Sequence, residues 1–223
     1  MDPLRPHWVV WNVGQGLWIT YVDIDQCLHF DSGGERNPIY DVYKACQKKK
    51  NILFLSHWDW DHMSFAQNLY RKFSQNLCLG LRPLGSSSRF KERILQHILK
   101  CPSLPQEMEI FSPGLSKVSN EQSHIVVYKK FLLPGDSTEK MEAQWIPALK
   151  SLSQVKILLL GHHGSKTSTS SDLLRKLPNL KMAIASSRWK RYGHPHPKTL
   201  AKLHMRHISV LRTEDWGNIW FEQ

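Results

Sequence analysis

Three observations predict a layered α/β fold for this chain. Short apolar runs without helical period recur along it. Stretches with apolar residues at helical spacing fall between those runs, and 223 residues with 41% hydrophobic content suffice to bury a sizeable core. The chain is strand-rich at first and then alternates strand with helix. It shows no repeat, low-complexity tract or evident linker, so one domain over residues 1–223 is expected.

Taken in order, His7 to Trp11, Leu17 to Val22 and Cys27 to Phe30 are apolar runs parted by Gly-rich or polar turns, the pattern of a strand meander. A helix follows Pro38, with Tyr40, Val42 and Tyr43 among its apolar positions, and ends in Lys48-Lys49-Lys50, whose charge suits the negative end of a helix dipole. Ile52 to Leu55 is too short for a helix and reads as a buried strand, and the next helix begins near Met63. Phe90, Ile94, Leu95, Ile98 and Leu99 place a helix between Ser88 and Lys100, which Pro102 stops. Ile125 to Tyr128 and Phe131 to Leu133 pair as a hairpin, and a helix from Thr138 meets Pro147, which kinks or ends it. Strand Ile157 to Leu160, helix Ser171 to Leu177, strand Met182 to Ala185, helix Lys198 to Arg206 and two short strands complete the chain.

Composition narrows the class. No run approaches the roughly 18 apolar residues of a membrane span, and the N-terminal MDPLRPHWVVWN lacks a signal-peptide pattern, so a soluble, cytoplasmic protein without a transmembrane segment is expected. Cys27, Cys46, Cys78 and Cys101 are widely spaced with no CxxC pair, which predicts reduced core thiols rather than a zinc ribbon or a disulfide framework. Formal net charge is +11, and thirteen Lys or Arg stand between Ala143 and Thr213 against one acid, Asp172. That excess points to an anionic partner.

The chemistry concentrates in His57-Trp58-Asp59-Trp60-Asp61-His62, an HxDxDH cluster on the loop after a buried strand. Ligands at i, i+2, i+4 and i+5 cannot share one helix face, but a coiling loop turns them to one centre. Imidazole with carboxylate suits zinc, manganese or iron, and the oxygen share favours the harder ions. Further candidates each follow an apolar run: Asp136 after Leu132-Leu133-Pro134-Gly135, His162 and His163 after Leu158-Leu159-Leu160-Gly161, and His194 between the turns of Tyr192-Gly193 and Pro195.

Val13-Gly14-Gln15-Gly16, Asp31-Ser32-Gly33, LSHWDWDH, Ser119-Asn120 with Ser123, LLPGD, GHHGS and YGHP occur in this order from Asn12 to Pro195. Together they resemble the metallo-β-lactamase superfamily, and within it the hydrolase domain of ComEC DNA-uptake proteins, whose motifs read DVGQG, D[TS]G, LSHxDxDH, LLTGD and PHHGS. The resemblance implies an αββα sandwich with two β-sheets between outer helices and a binuclear metal site along one sheet edge. Carried over by position, His57 and Asp59 would bind one ion, Asp61 and His62 the other, and Asp136 both. His162 or His163 would complete the ligand set of the second ion, with His162 favoured, and Asp31 would support the HxDxDH loop from behind. Asn12 replaces the family's opening Asp, and bulky Trp58 and Trp60 fill its variable slots. Asn120, Ser123 and His124 stand where many members carry a His before the bridging Asp.

What the resemblance implies for function is a phosphodiesterase, a DNase linked to DNA uptake, using two divalent ions (Mn²⁺ or Zn²⁺, with Mg²⁺ a further option). Asp61 would lie beside the attacking water. His163 and His194 are the candidates to protonate the leaving oxygen or steady the substrate, and Asn120, Ser123, Ser165 and Lys166 to contact it. DNA would be held without sequence readout, and a separate membrane channel protein is an expected partner in uptake. Two other readings are a stand-alone hydrolase of a small phosphodiester or other ester, and a non-catalytic nucleic-acid binding module.

Overall fold

The computed structural model describes residues 5–222. Residues 1–4, part of the segment read for a signal peptide, and residue 223 lie outside the described residues. The chain opens with an antiparallel meander of β1 (His7–Val10), β2 (Ile19–Val22) and β3 (Gln26–Phe30). After α1 (Ile39–Cys46), β4 (Lys50–Phe54) runs parallel to β3. Then come α2 (Trp60–Met63), α3 (Ala66–Phe73), β5 (Leu77–Leu81) and α4 (Arg89–Leu95). A second series follows: β6 (Glu109–Phe111), β7 (Ile125–Tyr128), β8 (Phe131–Leu133), α5 (Glu139–Trp145), β9 (Ile157–Leu159), α6 (Ser171–Lys176) and β10 (Met182–Ala185). The last elements are α7 (Trp189–Tyr192), α8 (Pro197–His204), β11 (Ser209–Arg212), α9 (Thr213–Trp216) and β12 (Ile219–Glu222).

The strands form two six-stranded sheets, ordered β12-β1-β2-β3-β4-β5 and β11-β10-β9-β8-β7-β6. Side-chain alternation explains the layering. Trp8, Val10, Ile19, Leu28 and Phe54 face the other sheet and meet Val126, Phe131, Leu133 and Ile184 there. Their neighbours Val9, Trp11, Leu53 and Leu55 face outward and are covered by Val42, Leu69, Phe73, Ile94 and Leu95 of the first helices. On the other side Val127, Leu132, Leu158 and Ala183 are covered by Met141, Trp145, Leu173 and Leu203. The result is the αββα sandwich that the motifs imply. Because the central strands of the two sheets are buried on both faces, many of them read as apolar runs.

Several expectations change. The first helix ends at Cys46 and Lys50 already belongs to β4. Lys49 does not serve the helix dipole; its Nζ donates to the carbonyls of Asp23 (2.6 Å) and Ile24 (2.7 Å) and holds the β2–β3 turn. The helix of residues 88–100 stops at Leu95, and Leu99 is exposed. Backbone bonds from Leu79 to Leu99 and from Cys101 to Leu79 draw that stretch alongside β5 instead. The expectation of reduced thiols is overturned, since Cys27 is bonded to Cys46 and Cys78 to Cys101, with no free cysteine among the described residues. Each pair is brought together by the fold, β3 against the end of α1 and β5 against the segment after α4, across separations of 19 and 23 residues that linear spacing does not flag. Disulfides persist in oxidising surroundings, which argues against the cytoplasmic setting expected from the N-terminal sequence. Among the described residues no helix is long and apolar enough to cross a membrane.

Candidate metal centre

The HxDxDH loop is shaped by the loops around it. Asp59 is extended (φ −70°, ψ 146°) and α2 then makes a single turn that carries Asp61 and His62. The Asp61 carbonyl accepts from Leu17 N (3.0 Å) and the His62 carbonyl from Ser32 N (2.8 Å). A Cβ at Gly16 or Gly33 would come within 2.6 and 2.5 Å of the Asp61 carbonyl oxygen, so only glycine lets the two loops close on this turn. That close approach explains the glycines of the VGQG and DSG motifs.

Asp31 stands behind the loop. Its Oδ1 accepts from Ser56 N (2.7 Å), and its Oδ2 accepts from Ser56 Oγ (2.8 Å) and lies 2.7 Å from His62 Nδ1. With Nδ1–H directed to this carboxylate, His62 Nε2 faces the cluster. His163 is set in the same way: its Nδ1 lies 2.9 Å from the Ser186 carbonyl, and its Nε2 is 3.1 Å from Asp61 Oδ2 and 3.3 Å from His62 Nε2. His162 and His163 both adopt positive φ (48° and 55°), an unfavourable backbone for non-glycine residues that turns both rings off the end of β9. Asp136 arrives from the loop between β8 and α5, its N–H donating to Ser123 Oγ (3.1 Å).

These groups fit a divalent metal. Nitrogen and oxygen atoms of His57, His62 and Asp136, and of Asp61, His62 and His163, lie within 4.8 Å of one another in each triplet. His57 Nε2 and Asp136 Oδ1 are buried with no hydrogen-bond partner; His62 Nε2 lies 3.0 Å from that oxygen without hydrogen-bond alignment. Buried polar atoms left open are costly in a merely structural role. The electrostatics agree. Burial pushes the Asp136 carboxyl up, but the imidazoles of His62, His163 and His57 outweigh it and hold it well below the usual carboxylate range. Asp61 follows the same balance, with burial opposed by His163 and His62. Burial pushes the His62 imidazole down, yet Asp136 and Asp31 on its two sides raise it well above its ordinary value. Two nearly buried carboxylates thus press for positive charge at one point.

The other predicted residues fall around this cluster. The Asp59 side chain is partly exposed, with Oδ2 3.5 Å from His57 Nε2. His162, favoured from sequence as the ligand, keeps a partly open side chain, its Nε2 3.8 Å from Asp136 Oδ2, whereas His163 is the one inside a triplet. Asn120 Nδ2 lies 3.4 Å from each His162 ring nitrogen. The His194 ring sits 6.0 Å from that of His162, with a buried, unpartnered Nδ1, and burial together with the neighbouring imidazoles lowers its pKa. Ser123 and Ser165, read as substrate contacts, are buried. Their hydroxyls are engaged with Asp136 N and with Thr167 Oγ1 (3.0 Å), because both serines brace site loops. Lys166 is exposed. Sequence reasoning missed Ser56, whose Oγ also lies 2.9 Å from His57 Nδ1, and Ser186. Ser56 has a faint signal in its place before His57; Ser186 has none.

No protein-family model matches the chain. In sequence it is 27% identical over 197 residues to ComE operon protein 3 of Bacillus subtilis (strain 168), covering 78% of this chain and 25% of that protein. It is 26% identical to Recombination protein 2 of Haemophilus influenzae (96% and 29%) and 25% identical to Competence protein ComA of Neisseria gonorrhoeae (95% and 31%). The chain therefore spans about a quarter to a third of the length of these relatives. Among solved structures it superposes on the metallo-β-lactamase fold protein YhfI from Bacillus subtilis with TM-score 0.65 at 12% identity, covering 98% of this chain and 100% of that one. A diphosphatase from the PhnP family gives TM-score 0.55 at 12% identity, covering 97% and 98%.

Proposed function

We propose, for a chain that has the metallo-β-lactamase fold and whose sequence relatives are competence proteins, that it is one hydrolase domain acting as a metal-dependent phosphodiesterase on DNA during DNA uptake. The observation that carries this reading is the pair of triplets around His62, with His57 Nε2 and Asp136 Oδ1 left open inside the protein. His57, Asp59, Asp61, His62, Asp136 and His163 would hold two divalent ions, Mn²⁺ or Zn²⁺ before Mg²⁺. Bound there, such ions supply an activated water and polarise a phosphoryl oxygen.

The chain's own residues do the rest. Asp31 and the Ser186 carbonyl fix the His62 and His163 rings so that both Nε2 atoms face the cluster. The roles of the paired histidines exchange relative to the sequence expectation: His163 belongs with the ligands, and the more open His162 joins Asn120 and His194 at the rim, where a substrate oxygen would be met. Lys166 and the other exposed cations of the C-terminal half would attract the phosphate backbone without reading sequence. Part of that charge is already committed, since Arg188 and Arg191 pair with Glu35 and Lys202 with Glu139. The test is cleavage of labelled single- and double-stranded DNA with Mn²⁺, Zn²⁺ or Mg²⁺. Wild type is expected to cut at least one substrate with Mn²⁺ and Asp61→Ala none; equal activity in both removes this site from the reaction.

A further inference from the structure

The two tryptophans of HWDWDH have opposite fates. Trp58 is buried, its indole N–H donates to the Leu84 carbonyl (2.9 Å), and the Arg82 guanidinium lies 5.4 Å over its ring. Trp60, between Asp59 and Asp61, is 46% exposed. Beside it, 5.9 Å between ring centroids and tilted by 41°, stands Phe90 of α4, itself 61% exposed. Two large apolar rings turned to water next to a cluster of ionisable groups find no explanation in packing. Their placement is nonetheless held: Lys91 Nζ donates to the Trp58 carbonyl, tying α4 to the HxDxDH loop, and Ser88 Oγ caps the helix by accepting from Lys91 N (3.4 Å).

Trp60 is flanked by the carboxylates of Asp59 and Asp61, whereas on α4 Phe90 has exposed Arg89 before it and exposed Arg93 one turn beyond Arg89, in a chain that as a whole carries +11. Exposed aromatic rings interleaved with arginines suit unpaired nucleotides, whose bases offer free π-faces and whose phosphates meet the cations. Bases inside a duplex are already stacked and cannot present a face without unpairing. We propose that Trp60 and Phe90 form a stacking subsite for an unpaired nucleobase beside the metal centre, with Arg89 and Arg93 meeting its backbone, so that the protein prefers single-stranded DNA. This rests on the DNA-hydrolase reading above.

The experiment measures fluorescence anisotropy of a labelled phosphorothioate oligothymidylate and of a duplex of matching length, alongside cleavage of natural DNA by wild type. Trp60→Leu and Phe90→Leu are expected each to weaken single-strand binding about tenfold and duplex binding less than twofold. Trp60→Phe should retain most of the affinity. Phe90 sits on an exposed helix face, so its substitution leaves folding intact even where a change at Trp60 does not. If wild type cuts DNA but neither leucine variant changes single-strand affinity, the stacking subsite is wrong and the hydrolase reading stands. If wild type neither binds nor cuts DNA, both fall together.

Discussion

Two buried clusters of polar groups are centred on histidines from the first half of this chain, His29 and His62, and they are finished differently. Around His29, every ring atom that can bond does so: Nε2 donates to Asn51 Oδ1 (2.9 Å), and Nδ1 accepts from the Thr20 hydroxyl (3.1 Å), whose oxygen in turn accepts from Trp11 Nε1 (2.8 Å). Asn51 Nδ2 spends its protons on the Lys49 and Cys46 carbonyls. This network is closed, and burial pushes the His29 imidazole down to about 4. Around His62 the opposite holds, because carboxylates crowd together and buried atoms keep unused bonding capacity. His29 has all its partners within the chain, whereas the cluster around His62 has bonding capacity left for the ion proposed above.

The contrast can be broken most directly at Asp136. Asp136→Asn should reduce hydrolysis to background and abolish metal binding in a titration, because Asn keeps the shape but not the charge that divalent ions need. Hydrolysis or metal binding that persists would mean that the two clusters do not differ in kind. His29→Ala should behave in reverse, lowering stability by about 3 kcal/mol in urea unfolding, because it leaves a cavity and opens the bonds of Asn51 and Thr20. The same group sets a pH window. Its folded pKa, about 4, lies below the ordinary 6.5, so its contribution is fully present above pH 6.5 and is lost as pH falls toward 4. That loss amounts to about 3 kcal/mol in unfolding measured across this range, and His29→Gln should flatten the slope.

Metal sharpens the comparison from the other side. Mn²⁺ at 100 times its dissociation constant should stabilise wild type by about 2.7 kcal/mol, a rise in Tm of roughly 5–10 °C by calorimetry, and Asp136→Asn should lose this rise. The smallest effect belongs to Ser56→Ala. Without the hydroxyl between Asp31 and the two rings, metal affinity should fall about 10- to 100-fold in a competition titration, with little change in the metal-free Tm.

Legibility followed the same division. Strands buried on both faces announced themselves as apolar runs, and HxDxDH, GD and GHHGS flagged the candidate ligands that the fold brings together, because few structural needs place those residue types together. The closed network was silent, since a lone His29 within an apolar strand carries no pattern. So was the difference between His162 and His163, which depends on backbone dihedrals and on the Ser186 carbonyl more than twenty residues away. Half-buried Glu109-Ile110-Phe111 of β6 offers no apolar run, and in β5 the Gly of LCLGL interrupts one. The disulfides failed to show because their partners meet only after the sheet and its helices pack.

The bond between Cys27 and Cys46 closes a ring that contains both His29 and Asp31, one member of each cluster. The second ring, Cys78 to Cys101, contains Arg82, Leu84, Phe90 and Lys91, which brace or flank the HxDxDH loop. The segment from His57 to His62, which carries candidate ligands, runs in sequence between two covalent hoops. By loop-closure entropy each hoop removes about 3 kcal/mol of freedom from the unfolded chain. The supports of the site therefore depend partly on redox chemistry, and the same sequence kept in a reducing solution should unfold more readily around the same candidate ligands.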